Sequence, residues 1–87
     1  MDTTTILNIL AANPDSYILD DVGTGEVCLK KADGSDMVLH DDDGRQVVPR
    51  APYSLIEPMI RQHYIEQDAR SGRIYRISYS GMKSANS

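Results

Sequence analysis

The sequence has no tryptophan and no phenylalanine, and Cys28 is its only cysteine. Without the largest apolar rings, a core in these 87 residues must come from 19 Val, Ile and Leu side chains, helped by Met and five Tyr. A core of that size is marginal for a lone small domain. One thiol excludes an intramolecular disulfide framework and an all-cysteine metal site. Between Val27 and Leu29 it reads as a small buried hydrophobe. A reducing cytoplasm is therefore the expected compartment. A long hydrophobic run is also missing. Met1-Asp2-Thr3-Thr4-Thr5 carries no basic residue, and the apolar stretch after it ends at Asn13-Pro14. That pattern is neither a signal peptide nor a spanning helix, so no membrane partner is expected.

The marks of catalysis are equally scarce. His40 and His63 are the only histidines, and neither has a sequence-local partner for a nucleophile pair. No Gly-rich phosphate loop follows a strand, and no zinc spacing exists. The run His40-Asp41-Asp42-Asp43-Gly44 has carboxylates that hard cations favour, but Arg45-Gln46-Val47 breaks the calcium-loop pattern and leaves a solvated acidic turn. No enzyme, cofactor or metal is expected.

What is present predicts an α+β domain over residues 1–80 and a flexible tail over 81–87. Ile6, Leu7 and Leu10 recur at helical spacing, Asp2 or a following threonine can cap them, and Pro14 stops the run, giving a short N-terminal helix near residues 3–12. From Ser16 to Val48, apolar runs at Tyr17–Leu19, Val27–Leu29, Met37–Leu39 and Val47-Val48 alternate with turn clusters containing Gly23, Gly25, Gly34 and Gly44. This predicts an antiparallel β-meander of three or four strands, each about five residues long. Pro49 and Pro52 are expected to break the sheet. Ser54 and Glu57 form a capping box for a second helix, with Leu55, Ile56, Met59, Ile60 and His63 on one face. Pro58 leaves two readings of its start, a distorted first turn or a beginning near Glu57. A C-terminal β-hairpin closes the domain. If Asp68 faces Ile74 across a five-residue loop, Ile65 faces Ile77 and Glu66 faces Arg76, joining apolar to apolar and acid to base.

Charge is divided along the chain. Residues 1–43 hold ten acids and two lysines, and residues 44–87 hold seven basic residues and three acids. The total of −4 therefore conceals an acidic half and a basic half, which suggests two faces with different partners or one basic face that binds an anion.

The segment Ser54 to Gly81 resembles the second half of a winged-helix domain: a helix, then Tyr64-Ile65-Glu66, a basic loop, and Tyr75-Arg76-Ile77-Ser78. His63 stands where that family commonly has glycine. The resemblance implies a recognition helix over Ser54 to Gln62 and a wing over Ala69 to Arg73. It further implies that Arg61 and Gln62 meet bases or phosphates of DNA, and that Arg70 and Arg73 reach phosphates or a minor groove.

Three functional readings stay open. The first is a small winged-helix-like nucleic-acid-binding or regulatory protein using Arg61, Gln62, Arg70 and Arg73. The second is an acidic protein-binding module, such as a small accessory or phage-type inhibitory protein, in which Asp41, Asp42 and Asp43 meet a basic protein surface. The third is a homodimer or larger homo-oligomer joined through an exposed sheet edge.

Overall fold

A computed structural model describes residues 2–86. Met1 and Ser87, the outer ends of the expected domain and tail, lie outside the described residues. Helix α1 (Thr3–Ala12) starts where the Asp2 carboxylate accepts a hydrogen bond from the Thr5 N–H at 2.8 Å. Its span, cap and buried stripe of Ile6, Leu7 and Leu10 are those predicted by spacing.

Strands β1 (Tyr17–Asp21) and β2 (Glu26–Lys30) form a hairpin, registered from Tyr17 opposite Lys30 to Asp21 opposite Glu26. Beyond β2 the expected meander changes character. Strands β3 (Leu39–His40) and β4 (Gln46–Val47) have two residues each and pair only with one another as a separate ribbon. The reason is local: closely spaced turns around Gly34 (φ 89°) and Gly44 (φ 79°) consume the residues that longer strands would need.

The prolines do not end the sheet. β5 (Arg50–Pro52) returns as an edge strand, with Glu26 opposite Pro52 and Cys28 opposite Arg50. An edge tolerates proline because one side of its backbone needs no strand partner. Helix α2 (Tyr53–Arg61) follows at once, so the expected capping box does not form and the start near Glu57 is not used. Pro52 is the N-cap and offers no side-chain bond, while the Tyr53 N–H donates to the Gly25 carbonyl at 3.1 Å. The neighbouring hairpin thereby takes over part of a cap's task. Pro58 is accommodated inside the helix, and Ile56 and Met59 have no exposed surface. His63, expected on the same face, instead lies past the helix, exposed and at φ 60°.

Strands β6 (Ile65–Asp68) and β7 (Ser71–Ile77) show the argued register, Ile65 to Ile77 and Glu66 to Arg76. At the tip the expectation fails. Asp68 pairs with Ser71 rather than Ile74, the register shifts between Gln67 and Asp68, and only Ala69 and Arg70 remain between the strands. The Gln67 side-chain amide donates to the Gly72 carbonyl at 2.7 Å, and the Asp68 carboxylate accepts the Arg70 N–H at 2.7 Å. These bonds hold a bulge in place of a wide loop.

The expected flexible tail is largely helix α3 (Tyr79–Ala85). Ser78 caps it by accepting the Gly81 N–H at 3.0 Å, while its own hydroxyl donates to the His63 carbonyl and its N–H to the Tyr64 carbonyl. One buried serine thus fastens α3 to the α2–β6 turn.

The five strands form one antiparallel sheet in the order β5-β2-β1-β7-β6, open rather than closed into a barrel, in an α+β domain with three helices. Ile18, Val27, Leu29, Ala51, Ile65 and Tyr75 share one face and form a core with Ile6, Leu7, Leu10, Ile56 and Met59. By register, Tyr17, Leu19, Cys28, Ile74 and Arg76 occupy the opposite face, and none belongs to that core. Cys28 is buried, as expected, but on this second face.

The Ser78 junction gives paired stability predictions. A Cβ at Gly81 would stand 2.1 Å from the Tyr64 carbonyl oxygen, so Gly81→Ala is expected to destabilise the fold by roughly 3 kcal/mol. His63→Gly removes a non-glycine side chain from left-handed backbone and is expected to stabilise by about 1 kcal/mol. Urea unfolding of both variants checks the pair.

Candidate interaction surfaces

The proposed nucleic-acid residues fall in two places. Arg61 and Gln62 lie at the C-terminal end of α2, before β6 begins, whereas Arg70 sits in the turn at the far end of β6. The four residues of β6, roughly 13 Å of extended chain, lie between the two groups. All four side chains are exposed. Arg73 folds back, its Nε donating to the Asp20 carbonyl at 3.3 Å. The side chains of Arg61, Gln62 and Arg70 have no hydrogen bond, ion pair or ring contact among the described residues.

Acids surround the wing. The register brings β7 beside β1 so that the wing shares one end of the sheet with Asp20, Asp21 and Glu26. Arg50 bridges Asp21 at 3.1 Å and Glu26 at 3.6 Å. The Arg70 N–H, then the Arg76 guanidinium, hold the Asp68 carboxyl below its ordinary range. Arg76 was expected to pair with Glu66, its cross-strand neighbour. It pairs instead with Asp68 at 3.2 Å and lies 5.2 Å from the centre of the Tyr17 ring. Asp68, two residues from Glu66, shares its face of β6 within diagonal reach of Arg76, and the Tyr17 ring supplies a second attraction.

The acidic turn at the tip of the β3–β4 ribbon has an internal division of roles. Asp41 accepts the N–H groups of Asp43 at 3.0 Å and Arg45 at 2.9 Å, so its carboxylate shapes the turn. The carboxylates of Asp42 and Asp43 are exposed and make no hydrogen bond or ion pair among the described residues. Behind the tip stand Val38 at 39%, Val47 at 42% and Val48 at 41% exposure, levels that leave their apolar surface available. Leu39, opposite Val47, packs toward the core, and Val38 and Val48 fall on the other side of the ribbon.

Composition had indicated an acidic surface but not its projection on a ribbon, nor the valines beside it. The signal available was the close spacing of two Gly turns, with Val38, Val47 and Val48 outside any long alternating run. Another missed group was Tyr75, in the core beneath the sheet. Burial, followed by a hydrogen bond with Tyr53, pushes its hydroxyl up to about 12.

Among the described residues no cluster of three His, Cys, Asp or Glu can hold a metal ion, and no helix is long and apolar enough to cross a membrane. A depression of 390 Å³ beside Asn13, Pro14, Asp15, Ser16, Lys31 and Met37 opens to solvent.

Tyr75 makes stability sensitive to alkali. The unfolded hydroxyl ionises near pH 10, while the folded one stays protonated to about 12, so the unfolded chain binds fewer protons between these values. Stability contributed by neutral Tyr75 is therefore present below pH 10 and falls as pH rises toward 12. Urea titrations at pH 9 and 11 are expected to show a smaller alkaline loss for Tyr75→Phe than for the parent chain.

Comparison of the chain with protein-family models, curated proteins and solved structures finds no match.

Proposed function

We propose that this chain is a small protein-contact module that presents its β3–β4 ribbon to a basic surface on a partner protein. The carrying observation is the combination of Asp42 and Asp43, free of internal ion pairs, with Val38 and Val48 exposed behind them. Carboxylates already compensated inside the fold would lose those bonds on binding; these would not. The valines add apolar area that a solvated acidic loop lacks. Asp41 holds the tip in shape, so less conformational entropy is lost on contact. In this reading the acids steer the approach and the valines form the dry centre of the contact.

A second reading, a winged-helix-like nucleic-acid-binding or regulatory protein, is favoured by one observation: Arg61, Gln62 and Arg70 have uncommitted side chains on the α2–β6–β7 unit. Its weakness lies in charge. Arg73 is engaged by Asp20, and Asp20, Asp21, Glu26 and Asp68 share the wing's end of the sheet. Phosphates brought there would meet carboxylates as well as guanidinium groups.

One pair of experiments separates these readings. A photo-crosslinking residue at position 46 is expected to capture a partner with a basic surface. Asp42→Lys/Asp43→Lys should reduce capture by about tenfold, because two attractive charges become repulsive. Unchanged capture contradicts the ribbon assignment. The nucleic-acid reading instead expects a labelled duplex to bind at about 50 mM salt, weaken by 200 mM, and lose affinity in Arg61→Ala/Arg70→Ala. No binding at the lower salt removes that reading.

A further inference from the structure

We propose that the open face of the five-stranded sheet is the docking surface for a second copy of this chain, packed face to face with it. The cross-strand register sets Cys28 beside Leu19, and Leu19 beside Ile74, making an apolar stripe across β2, β1 and β7. These three residues lie outside the core, and Leu19 and Ile74 are half-buried rather than covered. Water at their surface is what a second apolar stripe would displace.

Charge supplies the choice of occupant. On β2 and β1, Glu26 and Asp21 stand on one side of the stripe, and Lys30 and Tyr17 stand on the other. Turning a second copy by 180° about an axis along the stripe places Leu19 on Leu19. The same turn sets Glu26 over the partner's Lys30 and Asp21 over the partner's Tyr17, whose hydroxyl can donate to the carboxylate. The face is thus complementary to itself, as a two-fold contact requires. The natural twist of two packed sheets accommodates this arrangement to within about 30°.

The internal ion pairs do not block it. Arg50 bridges Asp21 as well as Glu26, and Lys30 bridges Asp36, with Asp21 38%, Glu26 47% and Lys30 20% exposed. These groups can share their charges with a second copy beside the stripe. Arg50 meets its own counterpart at the outer end of the stripe, where solvent screens the repulsion. Pairing through the sheet edges is less favoured: β5 carries Pro52, while the short β6 carries Glu66 and Asp68 beside a bulge.

The size of the face sets the strength. Five strands of about five residues span roughly 24 by 16 Å, about half the ~800 Å² per partner of a standard interface. A contact of that area falls in the small, transient class of interfaces. This association is independent of the ribbon's contact with another protein, because the two surfaces share none of the residues named.

Sedimentation equilibrium from about 10 μM to 1 mM tests the assignment. The mass is expected to rise from 9.7 kDa toward twice that value. Leu19→Lys is expected to remain monomeric. Glu26→Lys and Lys30→Glu should each remain monomeric, since each sets like charges against one another, whereas the double exchange should restore association. A parent chain that stays at 9.7 kDa at 1 mM overturns the proposal. So does a Leu19→Lys variant that dimerises like the parent, or a double exchange no better than the single ones. The charge exchanges alter partly exposed side chains of β2, and rescue by the double exchange keeps the test decisive even if Leu19→Lys fails to fold.

Discussion

The pairing of β1 with β7 is the contact on which the rest of the structure depends. Ile18 lies opposite Tyr75 and Leu19 opposite Ile74, joining the N-terminal hairpin to the C-terminal hairpin. Each hairpin alone would be marginal in water, but together they make a sheet broad enough for three helices to cover one face. Ile18 is completely buried at this seam, between Leu29 on one side and Tyr75 on the other. The same seam places the acidic end of the first hairpin beside the wing turn of the second. Beside it, Arg50 of β5 bridges Asp21 and Glu26, so part of the charge divided along the chain is compensated at that end of the sheet.

That compensation governs the functional account. Sequence distance makes the basic half look available for phosphates, but Arg50 bridges Asp21 and Glu26, and Arg76 bridges Asp68. The ribbon escapes this mutual neutralisation because β3 and β4 pair only with one another. Its two unengaged aspartates therefore retain a long-range role that counting acids in the sequence could not assign. The open sheet face differs from both, since its apolar stripe and paired charges favour a broad contact over a pointed one. Three surfaces therefore differ in character: an acidic tip whose Asp42 and Asp43 make no ion pair among the described residues, an arginine-bearing hairpin set among acids, and a sheet face with an apolar stripe.

Much of the architecture was legible because local patterns agreed with tertiary packing. Ile6, Leu7 and Leu10 announced α1, and matching Ile65 to Ile77 also matched Glu66 to Arg76 in the final hairpin. The failures occurred where a distant backbone group replaced a local signal. Tyr53 uses the Gly25 carbonyl, so the Ser54 capping box is unnecessary. Ser78 reaches His63 and Tyr64, giving a short, polar tail a reason to be helical. The bulge at Gln67 and Asp68 was hidden because side-chain bonds, rather than the spacing of apolar residues, select the tight turn. For the candidate sites, residue identity indicated which charges existed, but only the fold distinguished committed groups such as Arg73 and Asp41 from uncommitted ones such as Arg70, Asp42 and Asp43.

Native-state hydrogen exchange across the β1–β7 seam tests this account most directly. If the seam unites the fold, protected amides in β1, β2, β6 and β7 will share one opening free energy, equal to that of global unfolding by denaturant. A lower opening free energy confined to either hairpin, with the other still protected, would contradict it and show that the two halves hold their structure separately.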